Sequence, residues 1–108
     1  MINKNKTNIL FDDYITEMLS ESEESQYLFL KASFEDNWNY PEAILSAIRK
    51  VALVRGVKTI AQDAGINREN LYRALSKDGN PRFDTFLKII DALGMQVSII
   101  PKKSQSQN

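Results

Sequence analysis

The chain of 108 residues contains neither cysteine nor histidine. Without thiols it can form no disulfide, no thiolate-ligated zinc site and no cysteine nucleophile. Without imidazole it has no histidine general base, no Ser-His-Asp triad and no histidine metal ligand. Long apolar runs are missing as well, because no stretch approaches the roughly 18 residues that span a bilayer. We therefore expect a protein that is not an enzyme, that uses no cofactor or metal, and that has no membrane partner.

The first ten residues are largely polar and lack the apolar segment of a signal peptide. Together with the lack of cysteine, this predicts a cytoplasmic protein. The remaining composition, 43% hydrophobic and 26% charged residues, is ordinary for a globular protein. The length suffices for one domain of common size.

Charge is distributed unevenly, although the whole chain is neutral. Residues 1–42 hold three basic and nine acidic residues, a net charge of −6. Residues 43–108 hold eleven basic and five acidic residues, a net charge of +6. This division suggests two binding surfaces that prefer partners of opposite charge, and chance clustering of surface charges is the alternative.

Hydrophobic periodicity predicts an acidic N-terminal helical extension over residues 1–42, packed on the same domain. Its first helix spans residues 12–19. Its second helix begins at a capping box that starts with Ser20, presents Tyr27 on its apolar face and reaches about residue 35. In the loop that follows, Trp38 and Tyr40 are expected to cover a small core rather than to anchor a partner.

A helix-turn-helix core with a C-terminal strand is expected over residues 43–101. Pro41 begins the helix that enters this core, and Gly56 ends it. Three more helices are predicted over residues 58–64, 68–76 and 83–93. Asn67 is the predicted N-cap of the second of these, and Phe83 and Leu87 are predicted core residues of the third.

The C-terminal strand is predicted over residues 95–100, because this segment is rich in β-branched side chains and too short for a helix. A buried strand needs a partner for its backbone groups. The partner is residues 7–11, the same strand of a second subunit, or a strand of another protein, and we favour the second subunit. Residues 102–108 are expected to form a disordered tail.

Residues 57–76 meet the steric demands of a helix-turn-helix motif. Ala61 lies where two helices approach too closely for a larger side chain, and Gly65 lies where the sharp turn favours a positive φ angle. The apolar seam between the helices is expected to consist of Ile60, Ala64, Ile66, Leu71, Ala74 and Leu75. An ordinary helical hairpin is the alternative.

The second helix of this motif turns long polar side chains outward when its leucines face inward. Such donors and acceptors match base edges in a major groove. Between Arg49 and Arg82 there are eight basic and three acidic residues, a stripe that can neutralise phosphates. A solvated helix face is the alternative. The predicted DNA-binding residues are Glu69 and Arg73 for base edges, Asn67 and Arg68 for bases or phosphates, Lys58, Thr59 and Lys77 for phosphates, and Tyr72 on the same outward face.

Several of these segments resemble one known family. The segments are Arg68-Glu69-Asn70-Leu71-Tyr72-Arg73-Ala74-Leu75-Ser76, Gly79-Asn80-Pro81, residues 83–88, and, less strongly, Phe11-Asp12, Tyr27-Leu28 and residues 43–49. Together they resemble the addiction-module antidote proteins, which are HigA-type antitoxins of the phage-repressor-like helix-turn-helix superfamily. Lys58 and Arg82 depart from the family because they stand where a capping side chain is expected, and Thr59 stands where glutamine is common.

The resemblance implies an all-α, phage-repressor-like helix-turn-helix bundle that acts as a homodimer. It also implies repression of its own operon, through double-stranded operator DNA with an inverted repeat, and neutralisation of a cognate toxin, a small basic protein of the RelE type. The acidic residues 1–42 would be the complementary surface for that toxin. Two alternatives stay open: a free-standing or prophage transcription regulator without a toxin, and a protein-interaction adaptor that does not bind DNA.

Overall fold

Six α-helices make up the regular structure of residues 13–102, the part of the chain that the computed structural model describes. The helices are α1 (13–19), α2 (Glu23–Asp36), α3 (Pro41–Arg55), α4 (Val57–Ala64), α5 (Arg68–Ala74) and α6 (Phe83–Ala92). The predicted all-helical character is therefore confirmed for this part of the chain, and the helix ends agree with the predicted ones to within a few residues.

The boundary between α1 and α2 differs from the predicted one. Ser22 is the N-cap of α2, and its Oγ accepts the backbone N–H of Ser25 at 3.0 Å. Ser20 still belongs to the last turn of α1, because its N–H and its hydroxyl both donate to the Thr16 carbonyl, at 2.9 and 2.8 Å. The capping box predicted at Ser20 is therefore wrong, since that hydroxyl is already bonded to the preceding helix.

The core contains side chains from all six helices. Leu19 of α1 and Leu30 of α2 lie in the same apolar cluster as Ile48, Ile60 and Ile89. At the edge of this cluster, the rings of Phe34 and Phe86 pack with their centroids 6.3 Å apart and join α2 to α6. The acidic N-terminal helices thus share the core with the basic part of the chain.

A buried amide links three of these helices. Gln26 is only 5% exposed, and its Nε2 donates to the Leu19 carbonyl at 3.0 Å. Its Oε1 accepts from Nη1 of Arg55 at 3.1 Å, and the same nitrogen lies 3.4 Å from the Leu93 carbonyl oxygen. Because both ends of the amide have partners, its burial leaves no unsatisfied polar group. A charged donor also makes the bond to Arg55 one of the stronger kind.

Residues 95–100 have no regular secondary structure among the described residues, so the predicted C-terminal strand is not shown. The segment leaves α6 through a tight turn, in which Met95 donates to the Ile90 carbonyl at 3.1 Å and Gly94 donates to the Asp91 carbonyl at 2.9 Å. A strand needs a second strand to bond with, and residues 13–102 of one copy supply none. Residues 7–11, one of the proposed partners, lie outside the described residues.

Five side chains predicted to face the core are at the surface instead: Tyr27, Trp38, Tyr40, Phe83 and Leu87. The buried side chains of α6 and its C-cap are Ile89, Ile90 and Leu93, so the start of the helix at Phe83 lies beyond the core. In α2 the buried positions are Gln26 and Leu30, which turn the tyrosine between them outward. Periodicity indicates an apolar face but not how far the neighbouring elements extend to cover it.

Candidate nucleic-acid interface

The turn between α4 and α5 ends one helix sharply enough to begin the next. Gly65 has a φ angle of +74° in the left-handed region, where it donates to the Gln62 carbonyl at 3.1 Å. Ile66 then donates to the Ala61 carbonyl at 3.0 Å, which completes a Schellman motif. A Cβ atom at residue 65 would meet nothing within 4 Å. Glycine is therefore favoured here by backbone conformation and not by lack of space, as the sequence predicts.

The seam between α4 and α5 contains the predicted side chains. Ala61 is 3% exposed and Leu71 is 1% exposed, so both are buried as predicted. Of the other predicted members, Ile66 is half-buried and the following are buried: Ile60, Ala64, Ala74 and Leu75. This packing fixes which side of α5 faces inward.

The N-terminal end of α5 is capped as predicted. Asn67 has an extended backbone, and its Oδ1 accepts the backbone N–H of Asn70 at 2.7 Å. This bond satisfies one of the amide groups that every helix leaves unpaired at its start. Because the amide oxygen is engaged, the group of Asn67 that is left for an external partner is Nδ2.

Three other helices, α3, α4 and α6, begin without a side-chain cap. The departure noted at Arg82 falls at the N-cap of α6, whereas Lys58 lies inside α4, whose N-cap is Gly56. Neither Gly56 before α4 nor Arg82 before α6 supplies a capping side chain. At α6 the carboxylate of Asp84 accepts the backbone N–H of Thr85 at 2.9 Å and Nε of Arg82 at 3.1 Å. The hydrogen bond from Arg82 is the main reason that the pKa of Asp84 lies below its ordinary value.

The C-terminal end of α5 is held from a distant part of the chain. Nη1 of Arg49, on α3, donates to the Leu75 carbonyl, one of the groups that a helix leaves unpaired at its end. A cation at this end also interacts favourably with the helix dipole. The sequence offers no signal for this contact, because the acceptor is a backbone carbonyl 26 residues away. Arg49 therefore positions α5, although it was predicted only as part of the basic stripe.

The turn after α5 folds back closely onto the helix. A Cβ atom at Gly79 would lie 2.8 Å from the Ala74 carbonyl carbon and 2.8 Å from the Arg73 carbonyl oxygen. Glycine is needed here for space, in contrast to Gly65. The hydroxyl of Ser76 donates to the Arg73 carbonyl at 2.9 Å in the same turn. Lys77 lies within this turn, between Ser76 and Gly79.

Every predicted DNA-binding side chain is exposed. Lys58 and Thr59 lie in the first turn of α4, and Lys77 lies in the turn after α5. The remaining five are carried by α5 and its N-cap: Asn67, Arg68, Glu69, Tyr72 and Arg73. One contact on this face was not foreseen, because Nη1 of Arg73 donates to Oδ1 of Asn70 at 3.1 Å. Binding of DNA by these residues stays a prediction.

The basic stripe is smaller than the sequence suggests. Arg49 and Arg55 bond to backbone carbonyls and to side chains of their own fold, and Nζ of Lys50 donates to Ser46 at 3.0 Å. Arg82 is paired with Asp84. Within residues 13–102, the cations of the stripe that have no such internal partner are Lys58, Arg68 and Lys77. They lie on α4, on α5 and in the turn after it.

The chain matches one known protein family along most of its length. The family is described as "Probable addiction module antidote protein", and it matches residues 7–101. The chain belongs to this family. An uncharacterised protein from Haemophilus influenzae strain Rd is 43% identical over 93 residues, which cover 86% of this chain and 93% of that protein. No solved structure was found to match the chain.

The resemblance seen in the sequence is thus confirmed as membership of the addiction-module antidote family. None of the helices described for this antidote-family protein is long and apolar enough to cross a membrane. Within residues 13–102, no three Asp or Glu side chains are grouped so that they could hold a metal ion. The exposed face of α5 is the feature that most needs a functional explanation.

Proposed function

We propose that this protein is a DNA-binding antitoxin that represses its own operon and neutralises a cognate toxin. One observation carries the DNA-binding half of the proposal. The helix α5 is capped at one end, held by Arg49 at the other, and packed on α4 through its apolar side, while its polar side is exposed. A short, rigidly seated helix with a free polar face is what entry into a major groove requires.

The assigned roles follow from the chemistry of each side chain. Arg73 suits the two acceptors of guanine, and Glu69 can accept from the amino group of cytosine. Lys58 in the first turn of α4 and Lys77 in the turn after α5 are exposed and have no hydrogen-bond or ion-pair partner within residues 13–102, which suits contacts with phosphates. Arg68, Thr59, Asn67 and Tyr72 complete the proposed surface. Residues 43–101 are the proposed DNA-binding core.

We further propose that the protein binds its operator as a homodimer. Two recognition helices about 34 Å apart would read an inverted repeat in successive major grooves. The segment 95–100 supports this assembly, because its backbone has no strand partner within residues 13–102, and Val97, Ile99 and Ile100 are exposed. Pairing this segment with its copy in a second subunit would supply the missing hydrogen bonds and cover the apolar side chains.

A mobility-shift experiment on the DNA upstream of the gene tests the DNA-binding half. The wild type should retard this DNA and leave unrelated DNA of equal length free. Arg73→Ala should cost about 1–3 kcal/mol of specific affinity and blunt sequence discrimination, whereas Lys77→Ala should lower the salt slope by about one unit. The matched control is Lys31→Ala, because Lys31 lies on α2 and pairs with Glu35 at 2.7 Å. Equal retardation of both DNAs, or equal effects of all three variants, would contradict the proposal.

The toxin-neutralising half rests on the acidic N-terminal helices. Glu17 of α1 and Glu23 and Glu24 of α2 are exposed, and Tyr27 and Leu28 add exposed apolar surface on α2. A basic partner is attracted to such a surface and can bury its apolar part. We therefore propose residues 1–42 as the toxin-facing extension, with a small basic protein encoded beside this gene as its partner.

Deletion of residues 1–42 cannot test this surface, because Leu19 and Leu30 are part of the core. The double variant Glu23→Lys/Glu24→Lys reverses the charge of two exposed side chains in the first turn of α2, and circular dichroism checks that the helix is retained. It should lose co-purification with the product of the adjacent gene, whereas Asp91→Lys on α6 should retain it. Full retention of the adjacent gene product by the double variant would refute this assignment.

A further inference from the structure

Asn70 and Arg73 form a side-chain pair on the exposed side of α5. The two residues are three positions apart, so they lie on the same face of the helix. Nη1 of Arg73 donates to Oδ1 of Asn70 at 3.1 Å, and both residues are exposed. A guanidinium group has donors only, so the amide must turn its oxygen toward Arg73 and its nitrogen away. The pair therefore presents several free N–H donors to a partner, whereas its one acceptor oxygen is already engaged by Arg73.

A hydrogen bond holds the backbone that carries the pair, and no carboxylate of residues 13–102 forms an ion pair with Arg73. Oδ1 of Asn67 accepts the backbone N–H of Asn70 at 2.7 Å, which fixes the backbone that carries the pair. Glu69 lies one turn before Arg73, yet the ion pairs of residues 13–102 do not include one between them. Within residues 13–102, Arg73 thus has no ion-pair partner, and Asn70 holds one of its N–H groups.

We infer that Asn70 is a positioning residue for Arg73 and that the pair makes the protein select guanine at the base which Arg73 contacts. This inference rests on the proposed DNA-binding function. In the major groove guanine presents two acceptors, O6 and N7, whereas adenine presents one acceptor beside an amino donor. The free N–H groups of Arg73 match the first pattern, and in the second one of them would meet a like donor.

The same contact changes what Asn70 itself can read. An asparagine that selects adenine accepts from the N6 amino group with its oxygen and donates to N7 with its nitrogen. In this structure the oxygen accepts from Nη1 of Arg73, so a base would have to compete with Arg73 for it. Asn70 therefore acts through Arg73. Holding the long arginine side chain before DNA arrives also reduces the rotamer entropy that binding removes.

Selection of bound sequences from a random duplex library tests the inference. The library is applied to the full chain as wild type and as Arg73→Ala, Asn70→Ala and Asn70→Asp, with Asn39→Ala in the turn after α2 as the matched control. At the position where Arg73→Ala loses its preference for guanine, Asn70→Ala should weaken the preference for guanine over adenine by about tenfold. Asn70→Asp keeps an acceptor for Arg73 and should keep the guanine preference. The control should match the wild type.

Three results would overturn the inference. Asn70→Ala could retain the wild-type guanine preference, or it could lose an adenine preference at a different position, which would make Asn70 a direct reader. In both cases the DNA-binding proposal would stand and only the pairing argument would fall. If the wild type enriches no sequence at all, the proposed function and this inference fall together. Thermal unfolding midpoints of the Asn70 variants should stay close to the wild type, because the side chain is exposed and its hydrogen bond to Arg73 is an exposed one.

Discussion

Replacing Gly79 by alanine tests the account of how the end of α5 is built. Because a Cβ atom there would clash with the carbonyl groups of Arg73 and Ala74, the turn and the helix end must move apart. Overpacking of this kind costs typically 1–3 kcal/mol, and contact with rigid backbone places Gly79→Ala at the upper end, about 3 kcal/mol. Loss of glycine's freedom in the unfolded chain offsets only about 0.4–1 kcal/mol.

Gly65→Ala is the matched control, because it adds the same methyl group where nothing lies within 4 Å. Gly65→Ala lowers the free energy of unfolding only through the strain of a positive φ angle, about 1–2 kcal/mol. The reduced freedom of the unfolded chain offsets part of this loss, as it does for Gly79→Ala. At roughly 4–8 °C per kcal/mol for a domain near this size, Gly79→Ala should lower the unfolding midpoint by about 10 °C or more. Gly65→Ala should lower it by about 5 °C.

Thermal and urea unfolding followed by circular dichroism measure both variants. The order of the two effects is the decisive result, since the two substitutions are chemically identical. If Gly79→Ala proves no more destabilising than Gly65→Ala, the close packing of the turn against α5 is wrong. The C-terminal end of α5 would then be held by the bond from Arg49 and by its packing on α4.

Three further predictions concern contacts elsewhere in the fold. Arg49→Met keeps the apolar stem but removes the charged donor to Leu75, and it should cost about 1.5 kcal/mol in urea unfolding. Ile99→Lys should convert a dimer into monomers in sedimentation experiments, because it places charge in the proposed strand pair. Asp84→Asn should make the free energy of unfolding depend less on pH in the acid range, which is the acid limb of the stability curve. The pKa of Asp84 is lowered in the folded state, so its contribution to stability is present at neutral pH and is lost as the pH falls below about 4.

Each of these predictions has its own control and its own contrary result. Lys88→Met removes an exposed cation of α6 and should leave stability unchanged, so an equal loss in both variants would contradict the role of Arg49. Leu53→Lys alters an exposed leucine of α3 and should leave the dimer intact. If Leu53→Lys dissociates the dimer and Ile99→Lys does not, the interface lies at α3 and not at residues 95–100. Asp91→Asn should keep the wild-type acid limb, and a wild-type limb in Asp84→Asn would refute the ion pair with Arg82.

Local features of the fold could be predicted from the sequence because their causes are local. The Asn67 cap depends on one side chain and an amide three residues away, and the turn at Gly65 depends on the φ angle of one residue. The helix-turn-helix seam is equally readable, because the periodicity of Ile60, Leu71 and Ala74 sets the buried side directly. For the same reason the exposed candidates on α5 could be named before any coordinates.

Contacts between distant elements could not be predicted in this way. The bond from Arg49 to the Leu75 carbonyl and the bond from Arg55 to buried Gln26 depend on how helices cross, which periodicity does not report. The exposure of Phe83 has the same origin, because it depends on where the core stops beneath α6. Counting charges overestimated the basic surface for a related reason, because Arg49 and Arg55 of the basic stripe bond to groups within the fold.

Nuclear magnetic resonance titration of the labelled full chain with its upstream duplex tests the central claim most directly. The account predicts that the largest amide shifts fall on residues 58–59 and 67–77, with the acidic helices α1 and α2 little affected, and that an unrelated duplex produces smaller, salt-sensitive shifts at the same places. Shifts concentrated on α1 and α2, or none on α5 at protein concentrations that saturate the duplex, would contradict the claim that α5 is the surface presented to DNA.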